Sequence, residues 1–325
     1  MSLCTFFDFC SGIGAGRLGL EQCELKSVGY CDTSRLSVTT YNLMHNTKNE
    51  RNFGDLRKID IKQLPYFDIL IAGFPCQTFS VIGRQEGFND DRGQIIFHLA
   101  RYIKDCKPKC FILENVRGLV THDNGKSLKV ILNLLSECGY IVSYRVLSSI
   151  DYGVPQMRQR IFLVGIKKDL NIDVKKFRWP QTVKKPHLSN YLIDENNYIT
   201  DTNLNKFSYY LKNPTNQGKF TLNDFLDEEY LIIDTRMPDL RLYRGRVPTL
   251  RSHRDGIYYI KKLSIRQLTG YEALLLQGFP KEYADKVKNT VSDRNLLMQA
   301  GNAMTVNVIK GLGTSLINIF NTMEE

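Results

Sequence analysis

Short apolar runs alternate with amphipathic stretches over residues 1–170 of the chain. The runs are rich in Ile, Val, Phe and Tyr, and most of them end at Gly, Asp or Pro, which is typical of β-strands. Several are apolar at nearly every position, as strands buried on both faces of a sheet are. The pattern predicts strands at residues 5–9, 27–31, 67–72, 109–113, 143–147 and 160–166.

The stretches between the runs have the spacing of helices with one apolar face. Residues 94–104 and 126–138 are the clearest cases, and Gly139 follows the second as a plausible helix end. A third amphipathic stretch covers residues 302–320. This alternation of strands and helices predicts an α/β fold, in which a mostly parallel sheet has helices on both faces.

The pattern changes after about residue 180, where asparagines become frequent and helical periodicity weakens. We predict a first domain at residues 1–182, a smaller and loop-rich domain at 183–262, and a segment at 263–325 whose helix returns to the first domain. Residues 236–262 hold eight Lys or Arg against Asp239 and Asp255, a net charge of +6.

Composition narrows the class of protein. The 325 residues carry a net charge of +10, which favours a polyanionic partner without proving one. Eight cysteines lie in the first 138 residues with no CxxC pair, so we expect reduced thiols, a cytoplasmic protein and no metal site. We find neither a secretory signal nor an apolar run of the roughly 18 residues that a membrane helix needs.

A glycine-rich turn follows the first predicted strand. It contains Gly12, Gly14 and Gly16 and precedes a helical pattern. Glycine permits a tight turn and lets a ligand approach backbone N–H groups. Asp32 comes 20 residues after Gly12, where nucleotide-binding sheets hold an acid for ribose hydroxyls. These features predict a cofactor site, but they do not distinguish NAD from S-adenosylmethionine.

Reactive side chains follow two later strands. Cys76 comes after Pro75 just beyond the strand at 67–72, and Glu114 directly follows the strand at 109–113. Ligands bind outside the carboxyl ends of parallel strands, so we expect the thiol and the carboxyl at one crevice. Taken singly, a cysteine is more often a small buried side chain, and an acid at a strand end is more often solvated.

Two arginines alternate on an extended segment downstream. Arg158 and Arg160 can therefore face the same side of that segment, although a solvated basic edge would look the same. Three groups of residues thus follow one another at a characteristic spacing, namely Phe74-Pro75-Cys76-Gln77, Glu114-Asn115-Val116 and Gln156-x-Arg158-x-Arg160.

Together these groups closely resemble the DNA (cytosine-5) methyltransferases, and most of all the compact bacterial enzymes of restriction–modification systems. Asp90-x-Arg92-Gly93 and Gly301-Asn302-Ala303-Met304 extend the resemblance over almost the whole chain. Only residues 183–240 or so match no family motif, as expected of the region that recognises the target.

The resemblance implies a Rossmann-like, S-adenosylmethionine-dependent methyltransferase sheet with a smaller, loop-rich target recognition domain. It implies transfer of a methyl group to C5 of a cytosine that is flipped out of double-stranded DNA. The implied catalytic roles are Cys76 as nucleophile, Glu114 on N3 and the exocyclic amine, Arg160 on the carbonyl oxygen, and Arg158 on a phosphate or on Glu114.

The resemblance also implies binding residues and partners. Those for S-adenosylmethionine are Gly12, Ile13, Gly14, Asp32, Asp55, Leu56, Phe74, Pro75 and Asn302. Those for DNA are Gln77, Ser80, Arg84, Gln85, Arg241, Arg244, Arg246, Thr249, Arg251 and Arg254. A cognate restriction endonuclease is the implied functional partner, and the implied state is a monomer without membrane attachment.

The chain departs from the family at several positions. Cys10 stands where a phenylalanine usually stacks on adenine, and Thr33 stands where a tryptophan usually follows the ribose-binding acid. Gly270 and Tyr271 replace a Pro-Arg pair. Other interpretations therefore remain open: an RNA cytosine-5 methyltransferase, a catalytically weak DNA-binding relative, or, on the glycine-rich turn alone, a nicotinamide dehydrogenase.

Overall fold

A computed structural model describes residues 3–74, 95–170, 172–193, 201–221, 223–226, 228–235, 239–252, 256–261 and 264–321. The chain divides into two compact units. The first comprises Met1–Ser148, Gln159–Thr182 and Ala303–Glu325, and the second comprises Ser149–Arg158 and Val183–Asn302. The domain bounds given above stay a prediction; the two units differ from them mainly in that residues 263–302 fall in the second unit.

Strands and α-helices of the described residues are numbered in chain order. The strands are β1 (Thr5–Phe9), β2 (Lys26–Cys31), β3 (Ile69–Gly73), β4 (Cys110–Val116), β5 (Tyr140–Ser148), β6 (Gln156–Met157), β7 (Gln159–Lys167), β8 (Leu231–Asp234), β9 (Arg241–Arg244), β10 (Val247–Pro248), β11 (Ile257–Lys261) and β12 (Ser264–Gln267). The helices are α1 (Ala15–Glu21), α2 (Arg35–His45), α3 (Ile95–Cys106), α4 (Lys126–Glu137), α5 (Asp201–Leu211), α6 (Asn223–Leu226), α7 (Gly270–Leu276), α8 (Lys281–Asp285), α9 (Asp293–Asn302) and α10 (Val306–Asn321).

The first unit is built on a six-stranded sheet in the order β2-β1-β3-β4-β7-β5. The pairs β1–β2, β1–β3 and β3–β4 are parallel, whereas β7 runs antiparallel to both β4 and β5. Every residue of β1 after Thr5 is buried, which explains its three phenylalanines, and Asp8 is a buried acid between two of them. The predicted α/β fold with a mostly parallel sheet is confirmed.

Helices cover both faces of this sheet. On one face Phe7, Phe9 and Phe111 belong to a core cluster that also includes side chains of α3 and α4. On the other face α1 lies so close to β3 that a Cβ on Gly16 would be 3.2 Å from Cδ1 of Ile71. Side chains alternate along each strand, so each strand contributes apolar side chains to both faces of the sheet. The carboxyl ends of β1, β3 and β4 lead into the residues predicted for the site.

The second unit contains a four-stranded antiparallel sheet in the order β12-β11-β8-β9. It has a core of its own, which includes Phe207, Phe225 and Tyr258. The region predicted to be loop-rich therefore also holds a sheet that the pattern did not predict. Its strands are short, and β9 begins and ends with an exposed arginine, so no clear apolar alternation marks it.

The predicted amphipathic stretch at 302–320 is confirmed as α10, although the helix begins at Val306. The stretch Asp293–Asn321, which contains α9 and α10, is the one helical stretch among the described residues that is long and apolar enough to cross a membrane. Within an apolar 18-residue part of this stretch, 61% is buried inside the protein, as in the core helix of a globular domain.

Candidate active site

The turn between β1 and α1 depends on glycine. Gly12 and Gly14 have φ angles of 56° and 82°, in the left-handed region that glycine adopts freely. A Cβ on Gly14 would also lie 2.2 Å from Nε2 of His45. The turn is closed by a hydrogen bond of 2.9 Å from the Gly14 N–H to the carbonyl oxygen of Ser11. These constraints place the predicted cofactor glycines at the end of β1.

Asp32 joins the end of β2 to this turn. Its Oδ2 accepts the Gly12 N–H at 2.8 Å, and its Oδ1 accepts the Ser34 N–H at 2.8 Å. Burial raises the pKa of Asp32 above its ordinary value of 3.8, although these N–H donors act to lower it. A carboxylate has about four lone-pair directions, so each oxygen can still accept a hydroxyl.

The turn has room and hydrogen-bonding capacity for a polar ligand. A Cβ on Gly12 would meet nothing within 4 Å, so that side of the turn is open. Ser11 is buried, and its Oγ has no hydrogen-bond partner in the part of the chain that the structure describes. Such a hydroxyl favours a ligand that supplies the missing bond. With Asp32 for a ribose diol, this environment fits S-adenosylmethionine.

Asp55 and Leu56, which are both predicted to bind the cofactor, lie in different surroundings, and so does Asn302. Asp55 is held by Arg57, whose Nη2 lies 2.7 Å from Oδ2 and whose Nε lies 2.9 Å from Oδ1. These bonds hold the pKa of Asp55 below its ordinary value, so the carboxylate stays ionised. Leu56 is buried, with 5% of its surface exposed. Asn302 is exposed at the end of α9.

Phe74 follows β3 and is fastened to the neighbouring strand. Its N–H donates to the carbonyl oxygen of Glu114 at 3.3 Å, and its own carbonyl accepts from Nδ2 of Asn115 at 2.9 Å. Asn115 is buried, and its side chain was not predicted to have a role. Its position at a strand end, directly after Glu114, is a signal that could have indicated one. Pro75 and Cys76 lie outside the described residues.

Glu114 and Arg160 form an ion pair at the ends of adjacent strands. Nε of Arg160 lies 3.1 Å from Oε1 of Glu114, and the two side chains are 15% and 9% exposed. The pair forms because β4 and β7 are antiparallel neighbours, with Arg160 opposite Val116. Gly73 is opposite Glu114 on β3, so the chain that leads to Cys76 leaves the sheet beside this pair.

Arg158 and Gln156 bind backbone groups of the second unit. Nη1 of Arg158 donates to the carbonyl oxygens of Leu250 and Gly301 at 3.0 and 3.1 Å. Gln156 accepts the Leu250 N–H at 3.1 Å, and both side chains are buried. The guanidinium of Arg158, for which we predicted a phosphate or Glu114 as partner, is therefore used to hold the chain around residues 250 and 301.

The basic residues predicted to meet DNA differ in how available they are. Arg241, Arg246 and Arg251 are exposed. Arg244 is ion-paired with Glu228. The hydroxyl of Thr249 donates to the carbonyl oxygen of Met157 at 2.6 Å. The remaining predicted DNA residues, Gln77, Ser80, Arg84, Gln85 and Arg254, lie outside the described residues.

Comparison with known proteins decides what kind of site this is. The profile of the C-5 cytosine-specific DNA methylase family matches residues 4–318. The chain belongs to this family. The type II methyltransferase M.HaeII of Haemophilus aegyptius is 34% identical over 97% of this chain and 93% of its own. The type II methyltransferase M.HhaI of Haemophilus parahaemolyticus is 31% identical over 96% of this chain and 94% of its own.

A solved structure extends the likeness to the fold. The methyltransferase EhMeth of Entamoeba histolytica superimposes with a TM-score of 0.71, and all of both chains is covered at 20% identity. The expected membership of the DNA (cytosine-5) methyltransferases is confirmed, and the chain is an enzyme of that class.

The positions at which the sequence departs from the usual family residues differ in how they fit the fold. Gly270 packs so closely on α9 that a Cβ there would be 2.5 Å from Cβ of Leu296. The hydroxyl of Tyr271 donates to Oδ1 of Asp285 at 3.3 Å. Cys10 has a φ of 50° and is half-buried at the start of the cofactor turn. Gly270 and Tyr271 thus pack into the fold, whereas Cys10 adopts a left-handed backbone conformation that favours glycine.

Proposed function

We propose that this chain transfers the methyl group of S-adenosylmethionine to C5 of cytosine within a specific sequence of double-stranded DNA. The observation that carries the proposal is the ion pair of Glu114 and Arg160 beside the end of β3. A carboxyl and a guanidinium held together can bind the N3 edge and the carbonyl oxygen of one cytosine.

The reaction begins with the thiolate of Cys76, which forms a bond to C6 of the cytosine. The ring electrons then make C5 nucleophilic. Glu114, which must be protonated or share a proton to bind N3, donates to N3, and Arg160 donates to the carbonyl oxygen, which stabilises the charge that develops on the ring. When bound, S-adenosylmethionine supplies the methyl group. A base removes the C5 proton, and the returning electrons break the bond to Cys76.

The cofactor is held by the residues around β1, β2 and β3. Gly12, Ile13 and Gly14 take the amino-acid part, as the open face of the turn and the Ser11 hydroxyl support. Asp32 takes the ribose diol. The other contacts are proposed on the family resemblance. Asp55, with Leu56 beside it, binds the amine of the adenine, Phe74 and Pro75 pack near the adenine, and Asn302 closes the amino-acid end.

The target cytosine must be flipped out of the duplex, which costs a few kcal/mol. Contacts to the opened DNA are needed to offset that cost. Gln77, Ser80, Arg84 and Gln85 follow the nucleophile in sequence and would meet the opened duplex. The second unit supplies exposed arginines, among them Arg241, Arg246 and Arg251, for phosphate and base contacts. By analogy with relatives named type II methyltransferases, we propose a monomeric cytoplasmic modification enzyme with a cognate restriction endonuclease.

Methylation sequencing of DNA from a methylation-free bacterial host that expresses the chain tests the proposal. The wild type should methylate cytosines in one fixed sequence context, which protects them from conversion in the sequencing procedure. Cys76→Ser should abolish protection but retain DNA and cofactor binding. Glu114→Gln, which keeps the side-chain shape, should slow methyl transfer at least about 100-fold.

Two outcomes would contradict the proposed function. Turnover by the Cys76→Ser chain would remove Cys76 as the nucleophile. A soluble wild type that leaves every cytosine unprotected would refute DNA methylation in cells. Transfer of label to RNA cytosines in the same extracts would then identify RNA as the substrate.

A further inference from the structure

A buried tyrosine lies against the segment that we propose holds the adenine. Tyr102 is on α3 and has 0% of its surface exposed. Its hydroxyl donates to the carbonyl oxygen of Leu56 and lies 3.2 Å from the carbonyl oxygen of Ile59. One side chain from α3 therefore binds two backbone carbonyls of the segment that begins at Asp55.

The same hydroxyl accepts a hydrogen bond from a cation. Nη2 of Arg101 lies 3.0 Å from the hydroxyl oxygen of Tyr102, and the guanidinium carbon lies 5.0 Å from the ring centroid. A charged donor polarises the hydroxyl, which strengthens the bond that the hydroxyl donates. The link between α3 and the carbonyl of Leu56 is thus a chain of hydrogen bonds.

The ring of Tyr102 also touches the strand that leads to the glycine-rich turn. It is stacked on Phe9, with ring centroids 5.1 Å apart and planes 28° apart. Phe9 is the last residue of β1 and directly precedes Cys10, the first residue of the turn. Tyr102 therefore contacts both the base of the turn and the backbone after Asp55.

We propose that Tyr102 is a positioning residue for the cofactor, which sets the distance between the glycine-rich turn and the Asp55–Leu56 backbone. The inference rests on the proposed function, because it assumes that these two segments hold the two ends of S-adenosylmethionine. It adds helix α3 to the cofactor site, although no side chain of that helix belongs to a cofactor motif of the sequence.

Tyr140 provides a matched control in the same core cluster. It is also fully buried, and its hydroxyl donates to the carbonyl oxygen of Pro108 at 2.5 Å and lies 3.4 Å from that of Ile103. Those carbonyls belong to α3 and to the connection between α3 and β4, and neither lies in the glycine-rich turn or in the segment after Asp55. Tyr140→Phe thus removes a similar hydroxyl without touching the segment after Asp55.

The test compares wild type, Tyr102→Phe and Tyr140→Phe by calorimetric titration with S-adenosylhomocysteine and with 5′-methylthioadenosine, which lacks the amino-acid part. We expect Tyr102→Phe to raise the Kd of S-adenosylhomocysteine, which spans both segments, about tenfold, and that of 5′-methylthioadenosine, which lacks the amino-acid end, less than about threefold. Tyr140→Phe should change either Kd less than about twofold. In turnover assays Tyr102→Phe should raise KM for the cofactor by more than it lowers kcat.

Equal Kd values for the two variants would overturn the positioning role, and so would equal losses for the two compounds, since only S-adenosylhomocysteine spans both segments. Melting temperatures of the variants show whether a change in Kd merely follows lost stability. If the wild type binds neither compound, the proposed function fails and this inference fails with it. If the wild type binds and Tyr102→Phe binds equally well, only the inference fails.

Discussion

Asp68 shows how one buried charge ties the start of the sheet together. It immediately precedes β3, and its Oδ2 accepts the N–H groups of Cys4 and Thr5 at 2.9 and 3.0 Å. Its Oδ1 lies 2.8 Å from Nζ of Lys109, just before β4. Burial alone would raise the pKa of Asp68, but the bonds from Lys109, Cys4 and Thr5 hold it below its ordinary value.

Asp68→Asn should lower the free energy of unfolding by about 2–4 kcal/mol at pH 7, because Lys109 loses its buried partner. A lowered pKa means that this stabilisation is present above the ordinary value of 3.8 and is lost as the pH falls through the folded-state pKa. Urea denaturation over a series of pH values should therefore show a constant gap to wild type down to about pH 5, which narrows below 3.8.

Asp105→Asn serves as the control, because Asp105 is exposed on α3. It should leave stability within about 0.5 kcal/mol of wild type. A gap for Asp68→Asn that persists at the lowest pH at which both chains stay folded would show that the charge is not its source.

At the scale of residues the sequence predicted part of the site. Glu114 and Arg160 were both predicted, and the structure pairs them because their strands are neighbours. The hydrogen bonds of Arg158 were not foreseen, because its acceptors are carbonyls of Leu250 and Gly301, 92 and 143 positions away. Contacts to backbone groups so distant in sequence leave no motif. The roles of Cys76, Glu114, Arg158, Arg160 and the cofactor residues stay predictions.

At the scale of elements, α1 and α10 approach each other through glycine. A Cβ on Gly19 would lie 2.6 Å from Cβ of Ile309 and 2.9 Å from the carbonyl oxygen of Val306. On the other helix, a Cβ on Gly313 would lie 3.0 Å from Sγ of Cys23. A glycine on each helix allows the backbones to come this close, and α1 is the helix that the cofactor turn begins.

Gly19→Ala should destabilise the first unit by about 1–3 kcal/mol, because the Val306 backbone must move to admit a methyl group. Differential scanning calorimetry would measure the loss. Gly118→Ala is the control, since its Cβ would meet only Cγ2 of Val116 at 3.9 Å. If Gly19→Ala and Gly118→Ala have the same melting temperature, the close packing of α1 against α10 is contradicted.

The strands of the first unit were predictable because strands buried on both faces of a sheet are apolar at most positions. β1 occurs at the residues predicted, and α3 covers the described part of the predicted stretch 94–104 and continues to Cys106. The sheet of the second unit was not predicted, because β8 ends in Asp234 and β9 is bounded by Arg241 and Arg244. Short strands with charged ends give too few alternating positions to recognise.

At the scale of the whole molecule, the net charge of +10 and the exposed arginines predict DNA binding that weakens steeply with salt. Arg246 pairs with no carboxylate among the described residues and is exposed, whereas Arg244 is already paired with Glu228. The two arginines flank one turn, so they make a matched pair for testing which charge meets phosphate.

Arg246→Ala should lower the slope of log Kd against log salt concentration by about 0.9, the value for one phosphate contact. Arg244→Ala should lower it by less than half as much, because Glu228 already compensates its charge. Fluorescence anisotropy with a DNA duplex between about 50 and 200 mM salt measures both slopes. If the wild-type Kd for DNA does not depend on salt, the basic residues within 236–262 do not contact DNA.

The close packing of α1 against α10 also affects the order in which the protein folds during its synthesis. The thiol of Cys23 donates to the carbonyl oxygen of Lys310, which is added 287 positions later. Translation therefore delivers the glycine-rich turn and its helix long before the helix that supports them. Contacts so distant in sequence form late in folding. The exposed arginines of the second unit are therefore synthesised before α10, and we expect methylating capacity only once α10 has emerged.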